Sequence, residues 1–118
     1  MSDARRLLPL NTLVFETLLA LTSETRHGWD LVREIQQRLG GERVLPANFY
    51  RTLRGMLADG LILEVDAPRE RAAGGDHAER RRYFALTPLG REVARLEARR
   101  LETLVVESRA KNLLRAKR

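Results

Sequence analysis

The chain has 118 residues, of which 43% are apolar, so it is long enough for one domain with a modest core. It has no cysteine, which excludes disulfide bonds, cysteine-based zinc sites and thiol catalysis. Its net charge of +6 favours a polyanionic partner, with nucleic acid first and an anionic membrane surface second.

Arginine carries almost all of the positive charge, since Lys111 and Lys117 are the only lysines. The forked donors of arginine suit phosphate groups and guanine edges. A GC-rich genome, which favours arginine codons, explains this composition equally well. No apolar run approaches the roughly 20 residues of a membrane span, and the first residues lack the apolar stretch of a signal peptide. A cytoplasmic protein is therefore expected.

The first predicted helix extends from about Pro9 to Thr22 and is apolar on more than one side. Such a helix is buried on more than one side, so we expect it at the centre of the domain or against a partner subunit. Residues 23–27 are interpreted as a polar break with capping residues. A second amphipathic helix is predicted over 28–39.

The third predicted helix, which has Pro46 in its first turn and is stopped by Gly60, is the most informative segment. Its apolar side, at the spacing of one helical face, carries Phe49, Leu53, Met56 and Leu57. Its other side carries Asn48, Arg51 and Arg54. A short helix with one apolar face and one basic face, leading into a β-hairpin, is how a winged helix-turn-helix presents a recognition helix to the major groove.

The β-hairpin is predicted from a strand over 61–67, a loop with two glycines at its tip, and a return strand over 80–86. Alternation along the return strand directs Phe84 and Leu86 to the core and Arg81, Tyr83 and Ala85 to solvent. The candidates in this wing for contacts with phosphates or a minor groove are Arg69, Arg71, Arg80 and Arg81. One or two of the wing arginines are expected to make such contacts, and the others are expected to be solvated.

The last helix is predicted to have Thr87 as its N-cap and to continue to about Leu114, a length of roughly 40 Å. Its apolar positions include Leu89, Val93, Leu96, Leu101, Leu104 and Val105. So small a body cannot cover this stripe, and a second copy of the chain in a homodimer would do so most simply. The predicted fold is mainly α with a small β-hairpin: a winged helix-turn-helix domain over 1–87 and a dimerisation helix over 88–118.

Three segments of the chain resemble the PadR family of transcriptional regulators. Residues 26–31, Arg-His-Gly-Trp-Asp-Leu, resemble the His-Gly-Tyr-Glu-Leu segment that opens the second helix of that family. Residues 46–62 are similar to its recognition region, which begins Pro-Gly-Thr-Leu-Tyr and ends Gly-Leu-Ile. Residues 81–90, Arg-Arg-Tyr-Phe-Ala-Leu-Thr-Pro-Leu-Gly, resemble its Arg-Lys-Tyr-Tyr-x-Leu-Thr-x-x-Gly segment. Order and spacing agree from about Leu10 to Gly90.

The resemblance implies a bacterial, dimeric repressor of the short branch of the family. Its first and last helices would build the dimer, which adds Leu13 to the dimerisation residues. Tyr50 would contact a phosphate through its hydroxyl, the alternative being a half-buried ring with the hydroxyl in water. The family usually has a capping serine where this chain has Leu45, so the recognition helix is predicted to begin without a side-chain cap.

Each candidate binding residue also has an alternative role that involves no ligand. Asn48 is placed to read an adenine edge, or else to cap its helix. Arg51 and Arg54 are expected at phosphates or base edges, the alternative being a solvated helix face. Trp29, the sole tryptophan, is a candidate for lining an effector pocket, although packing in the core or at an interface is the commoner role.

His27 and His77 are the only histidines, which is too few for a zinc site. With no catalytic triad order and no phosphate-binding glycine loop, neither an enzyme nor a metal or cofactor is expected. The expected function is a homodimeric repressor on a pseudo-palindromic DNA operator, responding to a small hydrophobic or aromatic effector or to a protein partner. The alternatives are a winged-helix adaptor that binds protein without reading bases and, more remotely, a helix on an anionic membrane.

Overall fold

The computed structural model describes residues 4–39, 45–66 and 83–115. Within these ranges a short 3-10 helix at Arg5–Leu7 precedes four α-helices and three strands. In chain order the elements are α1 (Thr12–Leu21), β1 (Arg26–His27), α2 (Gly28–Leu39), α3 (Pro46–Ala58), β2 (Ile62–Val65), β3 (Tyr83–Leu86) and α4 (Pro88–Ala110). This mainly helical architecture with a small antiparallel sheet confirms the predicted fold class.

Helix α1 lies at the centre of the fold, where it contacts α2, α3, α4 and β3. Neighbours on several sides explain why its sequence is apolar on more than one face. The buried core around it contains Leu18, Leu21, Leu31, Val32, Ile35, Phe49, Leu53, Met56, Leu61, Ile62, Phe84 and Val93. The helix begins at Thr12 and not at Pro9, because the side-chain oxygen of Asn11 caps it by accepting the Val14 N–H at 2.9 Å.

The sheet has the order β1-β3-β2, with antiparallel pairing on both sides of β3. Strand β1 was not predicted, since residues 23–27 were interpreted as a polar break. It has only two residues, which pair with Phe84 and Tyr83 of β3. Two residues are too few to show the alternation of apolar and polar side chains that predicts a strand. The strand forms because β3 provides a hydrogen-bonding partner for it.

The prediction that Tyr83 faces solvent was wrong. Tyr83 is 9% exposed, because β1 runs beside it and the ring of His27 packs against it edge-to-face at a centroid distance of 5.1 Å. Ala85 is half-buried too, whereas Phe84 is buried as predicted. Arg81 lies outside the described residues.

Thr87 joins the start of α4 to the end of α3. Its hydroxyl oxygen accepts the N–H of Gly90 at 2.9 Å, which caps α4 as predicted. The same hydroxyl donates to the carbonyl oxygen of Gly60 at 2.6 Å. Gly60 itself ends the α3 segment with a φ of 78°, a left-handed conformation that favours glycine.

Replacing Thr87 by valine is expected to lower the free energy of unfolding by about 1–2 kcal/mol, because the hydrogen bonds of the hydroxyl to Gly60, Leu61 and Gly90 are lost while the side-chain shape is kept. Urea denaturation followed by circular dichroism measures the change. The matched control is Thr103→Val, an exposed threonine in the middle of α4. If the control loses as much stability as the Thr87 variant, the capping argument fails.

The C-terminus of α4 falls at Ala110 and not at about Leu114 as predicted. Asn112 adopts a positive φ of 65° and donates its N–H to the Arg109 carbonyl at 3.0 Å. The Leu113 N–H donates to the Ser108 carbonyl at 2.8 Å, which completes a Schellman motif. Asparagine tolerates this conformation nearly as well as glycine, so Asn112 was the stop signal in the sequence.

Candidate nucleic-acid interface

Helix α3 divides into a buried side and an exposed side in the way that the sequence predicted. Phe49, Leu53 and Met56 lie in the core. Asn48, Arg51 and Arg54 are exposed on the other side. The N-cap residue of α3 makes no side-chain capping bond, which confirms the expectation drawn from the leucine at that position.

Asn48 and Arg51 form a hydrogen-bonded pair on the exposed side of α3. The Nη1 group of Arg51 donates to Asn48 Oδ1 at 3.3 Å. Asn48 therefore orients the guanidinium and does not cap the helix. Within the described ranges no carboxylate forms an ion pair with Arg51 or Arg54.

Small residues surround this pair on α3. Ala47, Gly55 and Ala58 are exposed on the same side as Arg51. No atom lies within 4 Å of the position that a Cβ on Gly55 would occupy, apart from the helix's own neighbouring backbone. A helix surface with so little side-chain bulk lets a partner approach the backbone closely, which is the requirement for entering a groove.

Tyr50 connects α3 to the start of α2. Its half-buried ring packs edge-to-face on Phe49, with the ring centroids 5.8 Å apart. A Cβ added to Gly28 would lie 3.3 Å from both Cε1 and Oη of Tyr50, so the tyrosine ring rests directly on that glycine. The phenol group is therefore positioned at the N-terminus of α2, beside the exposed side of α3.

Arg54 lies at the edge of a cleft between α3 and the hairpin. The cleft has a volume of about 300 Å³ and is lined by Tyr50, Leu53, Arg54, Leu57, Glu64 and Phe84. Glu64 pairs with Phe84 across the sheet, so its carboxylate extends from the same face of the hairpin. This acid faces the same cleft as Arg54 and weakens the positive field there.

The four wing arginines predicted to contact DNA, Arg69, Arg71, Arg80 and Arg81, lie outside the described residues. No helix of the described ranges combines the length and apolar character needed to cross a bilayer. In the same ranges, no three His, Cys, Asp or Glu side chains are grouped so that they could hold a metal ion.

The PadR-like transcriptional regulator family matches residues 17–96 of this sequence. The chain belongs to this family. The match covers the helix-turn-helix, the hairpin and the first half of α4, as the resemblance of the three sequence segments predicted. Because the family is one of transcriptional regulators, the expectation that the chain is not an enzyme is confirmed. No curated protein sequence matches the chain.

Solved structures share the fold of this PadR-like chain at low sequence identity. A PadR family regulator from Clostridium difficile is 20% identical with a TM-score of 0.66, covering 86% of this chain and 98% of its own. A PadR-like regulator from Bacillus cereus is 21% identical with a TM-score of 0.68, covering 95% and 99%. PadR from Bacillus subtilis, solved in complex with operator DNA, is 17% identical with a TM-score of 0.58, covering 74% and 46%.

Trp29 of the PadR-like chain lies at the start of α2 and is 53% exposed. Its backbone N–H donates to Nδ1 of His27 at 3.0 Å. The indole is therefore not a core residue, and it does not line the cleft between α3 and the hairpin. Its role in binding an effector stays a prediction.

The predicted dimerisation residues divide into two groups along the chain. Val93 is 0% exposed and belongs to the subunit's own core, and Leu13, Leu89 and Leu96 are half-buried against that core. Beyond them, Leu101 and Val105 are half-buried and Leu104 is 50% exposed. Among the predicted dimerisation residues, the apolar surface that is most exposed therefore lies on the second half of α4, and Val93 cannot contribute to it.

Glu97 is a functional candidate that sequence reasoning missed. It is 1% exposed, in the middle of α4. Its carboxylate accepts hydrogen bonds from Nε and Nη2 of Arg100 at 2.7 and 2.9 Å, and from the Leu10 N–H at 3.2 Å. It thus ties the segment before α1 to α4. The i,i+3 spacing of Glu97 and Arg100 was visible in the sequence, but the long-range bond to Leu10 was not.

The hydrogen bond from Arg100 holds the pKa of the Glu97 carboxyl below its ordinary value of 4.5, although burial acts to raise it. Because the pKa is lowered in the folded state, this carboxylate stabilises the fold above its unfolded pKa, and the contribution is lost as pH falls through the folded pKa. The free energy of unfolding is therefore expected to fall more steeply below pH 4.5 in the natural protein than in Glu97→Gln. Urea denaturation at a series of acidic pH values measures this slope.

The control for this pH dependence is Glu102→Gln, which removes an exposed carboxylate from the same helix. Its stability profile is expected to follow that of the natural protein. Parallel profiles for the natural protein and Glu97→Gln would contradict the assignment of a lowered pKa to Glu97.

Proposed function

We propose that this PadR-like chain is a sequence-specific DNA-binding repressor that acts as a homodimer on a pseudo-palindromic operator in the bacterial cytoplasm. The observation that carries the proposal is the exposed side of α3, where Arg51 is held by Asn48 among residues with little side-chain bulk. Arginine donates in pairs to guanine O6 and N7, and such a contact discriminates between bases. Two helices of this kind in one dimer would enter successive major grooves about 34–36 Å apart.

Three further features support DNA binding by the same face. Tyr50 places its phenol group at the N-terminus of α2, where a phosphate would also meet helix-end N–H groups. Arg54 extends the basic surface toward the hairpin. One structural relative, PadR of Bacillus subtilis, was solved with operator DNA, and this chain shares its fold. The wing arginines Arg69, Arg71, Arg80 and Arg81 are proposed to contact phosphates from the hairpin.

We also propose that the N-terminal and C-terminal parts of the chain have separate functions. Residues 1–87 would form the DNA-binding domain, and residues 88–118 would form the dimerisation helix. The first half of α4 packs into the core of the DNA-binding domain through Val93 and Ala94. A change in how two α4 helices pair would therefore move the two recognition helices relative to each other, which gives an effector or a protein partner a way to alter operator binding.

The test is DNA binding by a variant that combines Arg51→Ala and Arg54→Ala. Fluorescence anisotropy with the DNA upstream of the protein's own gene is expected to show an affinity loss of about 10- to 100-fold and a shallower dependence on salt. The matched control is Arg95→Ala, an exposed arginine on α4 that pairs with Glu92. It is expected to bind like the natural protein.

Unchanged DNA affinity in the double variant would show that Arg51 and Arg54 of α3 do not contact the DNA. That result would favour the alternative, a winged-helix adaptor that binds protein without reading bases. Absence of any salt-dependent complex at micromolar protein would reject the DNA-binding proposal itself.

A further inference from the structure

A second cleft lies on the side of α3 that faces away from the hairpin. It has a volume of about 300 Å³, which is at the lower end of the range for small-molecule sites. One wall is the chain segment before α1, and the other is α3 itself. The apolar residues that line it are Leu7, Pro9, Leu10, Val14, Met56 and Leu61.

The wall formed by the segment before α1 is held in place by specific bonds. The Leu10 N–H donates to the buried carboxylate of Glu97, which Arg100 also holds. The next residue, Asn11, uses its side-chain oxygen to cap α1. These bonds attach the wall to α4 and to α1 at two successive residues.

The polar groups of the cleft favour a positively charged ligand. Asp59 is the only ionisable residue among the described lining residues, and no described residue donates to its carboxylate. It follows the last residue of α3, where the negative end of the helix dipole adds to its charge. Of the other polar lining side chains, the Thr52 hydroxyl already donates to the Asn48 carbonyl oxygen at 3.0 Å, and the Asn11 side-chain oxygen accepts the Val14 N–H.

Gly55 keeps this cleft open from the side of α3. Inside a helix, glycine costs about 1 kcal/mol relative to alanine. Nothing outside the helix's own neighbouring backbone lies within 4 Å of where its Cβ would be, so packing inside the subunit does not require a glycine here. The missing side chain leaves space along the floor of the cleft, where a ligand can contact the helix directly.

We propose that this cleft binds a small organic cation, with its ammonium group at Asp59 and an aromatic or branched apolar group against the wall of Leu7, Pro9 and Leu10. The site is separate from the exposed Trp29. A ligand here would touch Thr52 and Gly55, one turn of α3 from Asn48 and Arg51. Ligand and DNA would therefore oppose each other's binding by the same factor, a consequence that rests on the proposed DNA-binding function.

The experiment uses three probes with one skeleton and different charges: 1-naphthylmethylammonium, 1-naphthylmethanol and 1-naphthoate. Isothermal titration calorimetry of the full chain is expected to show that the ammonium binds about fivefold more tightly than the alcohol, and that the carboxylate is weakest. In Asp59→Asn the preference for the ammonium is expected to disappear. In Trp29→Ala it is expected to remain.

Gly55→Leu is the second variant, because its side chain would extend from α3 into the cleft, no neighbouring atom opposes its Cβ, and leucine is a better helix former than glycine. It is expected to fold normally and to bind none of the three probes. Equal affinity for the three probes, no binding at all, undiminished binding to Gly55→Leu, or a loss in Trp29→Ala that Asp59→Asn does not show would each overturn the proposal.

The link to DNA is measured separately by repeating the DNA titration with saturating ammonium. A weaker complex in the natural protein and an unchanged one in Asp59→Asn are expected. If the ammonium binds as described but the protein binds no DNA, the cleft assignment stands and the DNA-binding proposal fails. If the protein binds DNA but not the ammonium, the DNA-binding proposal stands and the cleft assignment fails.

Discussion

Replacement of Gly90 by alanine is expected to lower the free energy of unfolding by about 3 kcal/mol, a large effect for a single added methyl group. A Cβ at this position would lie 2.1 Å from the carbonyl oxygen of Leu61 and 3.0 Å from Cδ1 of Leu86. The carbonyl oxygen cannot move aside freely, because it accepts the Thr87 N–H at 3.2 Å. The first turn of α4 would have to separate from the start of β2.

The matched control for Gly90→Ala is Gly55→Ala, the same substitution in another helix. No neighbouring atom opposes a methyl group at Gly55, so this variant is expected to gain up to about 1 kcal/mol from helix propensity. Denaturation in urea, followed by far-ultraviolet circular dichroism, compares both with the natural protein. If Gly90→Ala proves as stable as Gly55→Ala, the close approach of α4 to Leu61 does not exist in solution.

The elements that the sequence predicted best are those with local signals. Helix α3 carried its apolar spacing, its starting proline and its terminal glycine within a single short segment, and the structure reproduces its bounds. Thr87 could likewise be predicted as an N-cap from local sequence, because the hydroxyl accepts a hydrogen bond from an N–H only three residues further along the chain. Signals within a few residues of each other decided both features, so no knowledge of the tertiary fold was needed.

The features that were missed depend on contacts between distant parts of the chain. Strand β1 exists only because β3 pairs with it, and Tyr83 is buried only because β1 brings His27 to its ring. The Glu97 carboxylate is buried because the Leu10 N–H, 87 residues away in the sequence, reaches it. Periodicity within one element carries no information about such partners.

In the candidate interface too, some features follow from local sequence and others depend on contacts between distant parts of the chain. Exposure of Arg51 and Arg54 followed from the helical period of α3 and could be predicted. The hydrogen bond between Arg51 and Asn48 joins residues three apart on one helix, so it could have been predicted. From the sequence, Asn48 was instead assigned to an adenine edge or to a helix cap. The cleft that Arg54 shares with Glu64 required the position of the hairpin relative to α3, which only the structure supplies.

Replacement of Leu104 by glutamate is expected to convert the proposed homodimer into monomers and to lower operator affinity at least about 100-fold. The buried face of α4 carries Gly90, Val93 and Glu97 in its first half, and the same helical face continues through Leu101 and Leu104. In the second half that face lies outside the buried core: Leu101 is half-buried and Leu104 is 50% exposed. A carboxylate there would have to be desolvated in any pair of α4 helices.

Val106→Glu provides the control, because it introduces the same charge two residues away, on the opposite side of α4. Val106 is 60% exposed, and neither variant disturbs the core. Sedimentation velocity is expected to show a monomer for Leu104→Glu and a dimer for Val106→Glu, with operator affinity lost in the first alone. A monomeric variant that still binds the operator as tightly as the natural protein would show that one recognition helix suffices, since a dimer gains its affinity from engaging both half-sites together.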